Sequence, residues 1–202
     1  MIINKRYEIL DSLPAYGPMC VSVADDDKPF YSEGFPVRFY KSDGTEWVAN
    51  FKPGWSKINR VFDFPHHNRT VVIAGGLGYL MMPDSEKPLE TFGLTIEDII
   101  EAENGSLIFD DCISIIIIDS EAGEMWTSER ISIDGFKDLK LIGGVLYGLS
   151  YDPTNSQDPW TKFSLNLKTK EIRGGSYREL MRRNTHLLKV RLGAENKSKK
   201  LW

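Results

Sequence analysis

The sequence predicts an all-β chain of four similar units, each with four short antiparallel strands, followed by one helix. Three observations predict it. An apolar pair, a polar turn and an apolar strand recur with starts at residues 20, 58, 96 and 136, so the spacings are 38, 38 and 40. Each interval also carries a hairpin signal, an Asp- or Gly-bearing turn between alternating strands. Helical clustering of apolar residues is best developed over 177–192, where Leu180, Met181, Leu187, Leu188 and Leu192 fall on one side.

The elements follow in order. Residues 1–19 are expected to add a strand that closes the array or caps an edge. The first unit, 20–57, opens on Cys20-Val21-Ser22-Val23 and turns at Asp25-Asp26-Asp27. It continues through Pro29-Phe30-Tyr31-Ser32-Glu33 into a hairpin of 37–40 and 46–48, turning at Ser42-Asp43-Gly44. The second, 58–95, turns at His66-His67-Asn68, runs apolar over 70–76, and forms a hairpin of 78–82 and 89–92. The third, 96–135, turns at Glu103-Asn104-Gly105, then places strands at 106–111, 114–118 and 125–126. Within it, 95–102 also fits a short helix capped by Thr95. The equivalent segments 60–64 and 137–141 alternate, which favours a strand. The fourth, 136–175, turns at Gly143-Gly144 and closes on a hairpin around Lys168-Thr169.

Four short strands in about 40 residues is the size of one propeller blade, and these units resemble β-propeller blades. Ser42-Asp43-Gly44-Thr45-Glu46-Trp47 and the segment 119–126 resemble the Asp-box turn of sialidase-type propellers. Neither keeps the full pattern, so the resemblance implies turn geometry and no sialidase chemistry. The whole chain is similar to small bacterial proteins with no assigned activity. The implied architecture is a small or incomplete β-propeller with a C-terminal helix, in one domain over 1–202; the alternative is a β-sandwich.

The 202 residues carry 25 Lys/Arg and 29 Asp/Glu, a net charge of −4. That average hides a split. Residues 178–202 hold eight basic and two acidic groups, or +6, which leaves −10 on residues 1–177. The basic end is expected to dock on the acidic body. No apolar run approaches the roughly 20 residues of a membrane helix. The N-terminal residues lack a leader pattern, and Cys20 and Cys112 are expected to stay reduced. The expected location is cytoplasmic, without membrane association.

Cofactor and metal motifs are not recognisable. Adjacent His66 and His67 point to opposite faces of a strand, so a structural turn is the better reading. Gly75, Gly76 and Gly78 lack the Walker spacing and suit a tight interstrand turn. Asp25-Asp26-Asp27 lacks the alternation of a calcium loop. Cys112 follows two aspartates, which disfavours a thiolate. No cofactor and no metal is expected.

Blade geometry gathers loops on one face, and that face defines the candidate binding residues: Glu33, Trp55, Asp110, Asp111, Asp134, Asp152, Asp158 and Trp160. The insertion 152–160 is confined to the fourth unit, and repeat insertions map to binding faces. Tryptophan in a polar loop is a common interface anchor. The leading functional expectation is a non-catalytic protein-binding module, of which an immunity or inhibitor protein is one concrete form. The acidic body suits a partner with a basic surface. The acidic body opposes approach to phosphates and the basic stretch has no aromatic platform, so nucleic acid is not expected. The alternative is a sugar- or polar-ligand-binding protein or hydrolase that uses carboxylates and tryptophans on that face. Pairing of open strand edges between copies leaves a homo-oligomer open.

Overall fold

A computed structural model describes residues 6–24 and 32–185. Strands dominate and form four separate open sheets of four strands each. The first sheet contains β1 (Tyr7–Ile9), β2 (Val21–Val23), β3 (Phe35–Tyr40) and β4 (Glu46–Phe51), in the order β1-β3-β4-β2. The second contains β5 (Arg60–Phe64), β6 (Arg69–Ala74), β7 (Leu77–Met81) and β8 (Glu90–Phe92) in chain order. The third contains β9 (Ile99–Glu101), β10 (Leu107–Asp111), β11 (Ser114–Ile118) and β12 (Met125–Thr127), again in chain order. The fourth contains β13 (Phe136–Ile142), β14 (Val145–Tyr151), β15 (Trp160–Asn166) and β16 (Ile172–Gly174), likewise. One helix, α1, spans 176–185; positions 186–192 of the expected helix lie outside the described residues.

Three sheets are thus the expected meanders, and 99–101 is strand rather than helix. The first sheet differs. Its inner hairpin, β3-β4, matches the second and third strands of the other units, not the third and fourth. Inner hairpins begin at residues 35, 69, 107 and 145, so the spacings become 34, 38 and 38. Both flanking strands come from upstream. β1 lies antiparallel on β3, capping that edge, while β2 lies parallel to β4 with Val21 opposite Ala49. The strand expected at 29–33 is not formed at Ser32 and Glu33; residues 29–31 lie outside the described residues. The apolar run at 20–23 reads as an opening strand but fills the far edge. Parallel pairing needs a long crossover, which local alternation does not reveal.

The chain divides into two compact units, 1–111 with 116–126, and 112–115 with 127–202. In the first unit, apolar packing does most of the work. Val37, Phe39, Ala49 and Phe51 of the first sheet meet Val72, Ala74, Tyr79 and Met81 of the second. Val71, Ile73 and Leu80, on the other face of the second sheet, meet Leu107, Phe109, Ile116 and Ile118. With both faces covered, β6 and β7 read as near-continuous apolar runs instead of alternating ones. Aromatic contacts reinforce this core: Phe39 stacks on Trp47 at 5.1 Å and Phe51 tilts against Tyr79 at 4.9 Å.

The second unit is held differently. Leu146, Phe163, Leu165 and Ile172 are buried on one face of the fourth sheet. At the strand ends, hydroxyls replace apolar contacts. Ser132 Oγ donates to the Gly135 carbonyl at 2.6 Å and accepts the Tyr151 N–H at 3.1 Å. Ser176 Oγ accepts the Ile133 N–H at 3.1 Å and donates to the Tyr151 carbonyl at 2.8 Å. Ser150 Oγ accepts the Ser176 N–H at 2.8 Å. In α1, Arg178 pairs with Glu129 and Arg183 pairs with Asp152. The described part of the basic end is therefore docked on carboxylates of its own unit. Among the described residues, no helix is long and apolar enough to cross a membrane.

Candidate binding site

The segment that follows β4, Lys52-Pro53-Gly54-Trp55-Ser56, crosses the end of the second sheet. Three successive N–H groups are fixed there. Gly54 N–H donates to the Ala74 carbonyl, Trp55 N–H to Leu94 and Ser56 N–H to Gly75, at 2.8–2.9 Å. Ser56 Oγ donates to the Ile96 carbonyl at 2.7 Å, and the Tyr79 hydroxyl to the Lys52 carbonyl at 2.7 Å. The crossing is close enough to require glycine. A Cβ at position 54 would lie 2.4 Å from the Leu94 carbonyl oxygen and 2.8 Å from the Leu77 nitrogen. Out of this stitched loop the Trp55 side chain projects with 78% of its surface exposed.

Asp110 and Asp111 support the same place from the end of β10. Asp111 Oδ1 accepts the Leu94 N–H at 3.1 Å and the Thr95 hydroxyl at 3.3 Å. Leu94 then offers its carbonyl to Trp55. Asp110 is buried, and its Oδ1 accepts the N–H groups of Glu97 at 3.0 Å and Asp98 at 2.6 Å. Burial pushes the Asp110 carboxyl up to about 6, against the pull of those two N–H groups. Trp55, Asp110 and Asp111 are thereby joined through the segment 94–98. The two carboxylates position backbone and the tryptophan projects. Glu33 is not part of this constellation; its Oε1 accepts the Leu13 N–H at 2.9 Å.

The remaining candidates belong to the second unit. Asp134 is exposed and accepts a contact from Cys112 Sγ at 3.3 Å. Asp152 is buried, and its Oδ1 accepts both the N–H and the hydroxyl of Thr154, at 2.9 and 2.6 Å. Burial alone would raise its carboxyl. The hydrogen bonds from Thr154 and Arg183 outweigh that and hold it below the usual carboxylate range. The insertion 152–160 closes on itself: Asp152 N–H donates to the Pro159 carbonyl, and Asn155 Nδ2 donates to the Asp158 carbonyl. The Asp158 side chain stays exposed. Trp160 is half-buried rather than projecting, with the Tyr151 ring at 4.8 Å and the Lys137 ammonium 3.9 Å from its ring centre.

Sequence reasoning placed Gly54 on the same face as Trp55 but missed Ser56, and it read Thr95 only as a possible helix cap; both help to build the Trp55 loop. His66 and His67 fall in a short 3-10 turn, where His67 Nε2 lies 3.0 Å from the Ser120 carbonyl oxygen. Among the described residues, no cluster of His, Cys, Asp and Glu could hold a metal ion. No protein-family model matches the chain, and no curated protein matches it.

Proposed function

We propose that the protein is a non-catalytic protein-binding module that uses Trp55 as its anchor. The carrying observation is an exposed tryptophan on a backbone whose three neighbouring N–H groups are all bonded. A large apolar side chain on a fixed loop loses little entropy on docking, which is what interface hot spots require. Glu97 and Asp98 are exposed on the segment that holds it, with Lys57 close in sequence on the other side. Together with the −10 charge of residues 1–177, this favours a partner with a basic surface. An inhibitor of a cationic protein, of the immunity type, is the concrete form of this reading.

The test is comparative capture. The intact chain and Trp55→Ala are immobilised and exposed to host extract at low salt. The variant is expected to melt at the same temperature and to weaken the retained partner by about thirtyfold, the size of one hot spot. A variant that retains the same proteins as the parent refutes the anchor. A parent chain that retains none refutes the module.

A further inference from the structure

At the opposite end of β6 from the Trp55 loop, the first unit contains a groove of about 550 Å³. It lies within the range of sites that take a compact ligand or a side chain. Phe62 and Phe64 of β5 line it half-exposed, over the buried Leu107. Among the described residues its ionisable lining consists of Tyr7, Asp63, Glu101, Glu121, His66 and His67, with no lysine or arginine. Asp63 is 3.3 Å from Arg6. Glu101 and Glu121 are exposed, and their carboxylates have no hydrogen-bond or ion-pair partner among the described residues.

The groove is held open by contacts that do not consume these carboxylates. His67 Nε2 meets the Ser120 carbonyl, and Arg69 donates to the Gly123 carbonyl. Gly123 packs flat on the His67 ring, where a Cβ would come within 2.8 Å. The turn of the second sheet is thereby fixed to the turn between β11 and β12.

We propose that this groove binds an arginine-bearing cationic segment of a protein partner. Half-exposed phenylalanine rings and unpaired carboxylates lining one groove match a planar guanidinium, which stacks on rings and donates two parallel hydrogen bonds to a carboxylate. Lysine meets only part of this demand, and an anionic segment meets none. The site goes beyond the Trp55 reading and stands or falls apart from it.

Isothermal titration of the full chain with blocked hexa-arginine, hexa-lysine and hexa-glutamate peptides tests it. Hexa-arginine is expected to bind at a single site, hexa-lysine about threefold more weakly, and hexa-glutamate not at all. Glu101→Gln with Glu121→Gln should weaken hexa-arginine about tenfold. Glu90→Gln with Glu179→Gln makes the same charge change at exposed positions that do not line the groove and should cost less than about twofold. Trp55→Ala should leave this titration unchanged. No binding of hexa-arginine, or equal losses in the two double variants, overturns the site. Equal affinity for hexa-lysine overturns the choice of arginine.

Discussion

The second and fourth sheets share one meander and differ in what holds them. In the second, all of β7 and most of β6 are buried, and apolar side chains pack on both faces. In the fourth, β13 has no buried residue and β14 has two, while Lys137, Lys140, Tyr147 and Ile142 are exposed. There, a chain of serine hydroxyls ties the strand ends to the segment 132–133 and to α1. The same topology can therefore be stabilised by area removed from water or by satisfied polar groups. The two mechanisms respond to different perturbations.

The largest expected effect tests the apolar side of that contrast. Ile73→Ala, at a fully buried position of β6, should cost about 2–5 kcal/mol in urea unfolding. Ile142→Ala, at a position 63% exposed in β13, should stay within about 0.5 kcal/mol. Similar losses at both would erase the difference between the sheets.

Asp110 comes next and asks whether a polar device also matters in the first unit. Its carboxyl lies at about 6, above the ordinary 3.8, because burial penalises the charge. The folded state then holds the proton more tightly than the unfolded chain. This contribution is fully present below about pH 3.8 and is lost as the pH rises to about 6, a range on the order of 3 kcal/mol. Asp110→Asn keeps an oxygen for the Glu97 and Asp98 N–H groups and should flatten that slope in denaturation measured from pH 3.5 to 7. An unchanged slope would assign the pH dependence elsewhere.

Ser132→Ala and Ser176→Ala should each cost about 1–2 kcal/mol, since each removes two side-chain hydrogen bonds while the backbone keeps its Tyr151–Gly135 and Ile133–Tyr151 bonds. Both serines bond the backbone of Tyr151, so the double variant should depart from additivity by about 0.5 kcal/mol or more. Strict additivity would mean that they do not act as one network.

The smallest effect concerns α1. Arg183→Ala should cost about 1 kcal/mol and speed amide exchange in the helix, because the arginine is partly exposed while its carboxylate partner is buried. Asp152 is held below its ordinary range, so its share of stability is present above about pH 3.8 and is lost at lower pH. Helix exchange that is indifferent both to the substitution and to acid would show that the pair holds nothing.

Alternation and turn residues made the three downstream meanders legible, since each strand pairs with the one before it. The parallel seat of β2 was not legible, because its partner lies more than twenty residues downstream. For the same reason, acidic residues at strand ends looked like a surface. Asp110, Asp111 and Asp152 are acceptors for N–H groups, and for Asp110 and Asp111 those donors lie 12 to 17 residues away. Trp55 stood out as a tryptophan in a polar loop. The rigidity that makes it an anchor comes from carbonyls of two distant segments, 74–75 and 94–96, and no local pattern encodes those.

The parallel strand β2 also bears on synthesis. In each later sheet, the last edge strand follows the central hairpin, so an emerging chain has an incomplete sheet until its fourth strand is made. The first sheet has both edges in hand before its hairpin begins, and all four strands are out once residue 51 has left the ribosome. Chains grow at about 5–20 residues per second. The nascent chain can thus present a finished apolar surface of Phe39, Ala49 and Phe51 on which the second sheet assembles as it emerges.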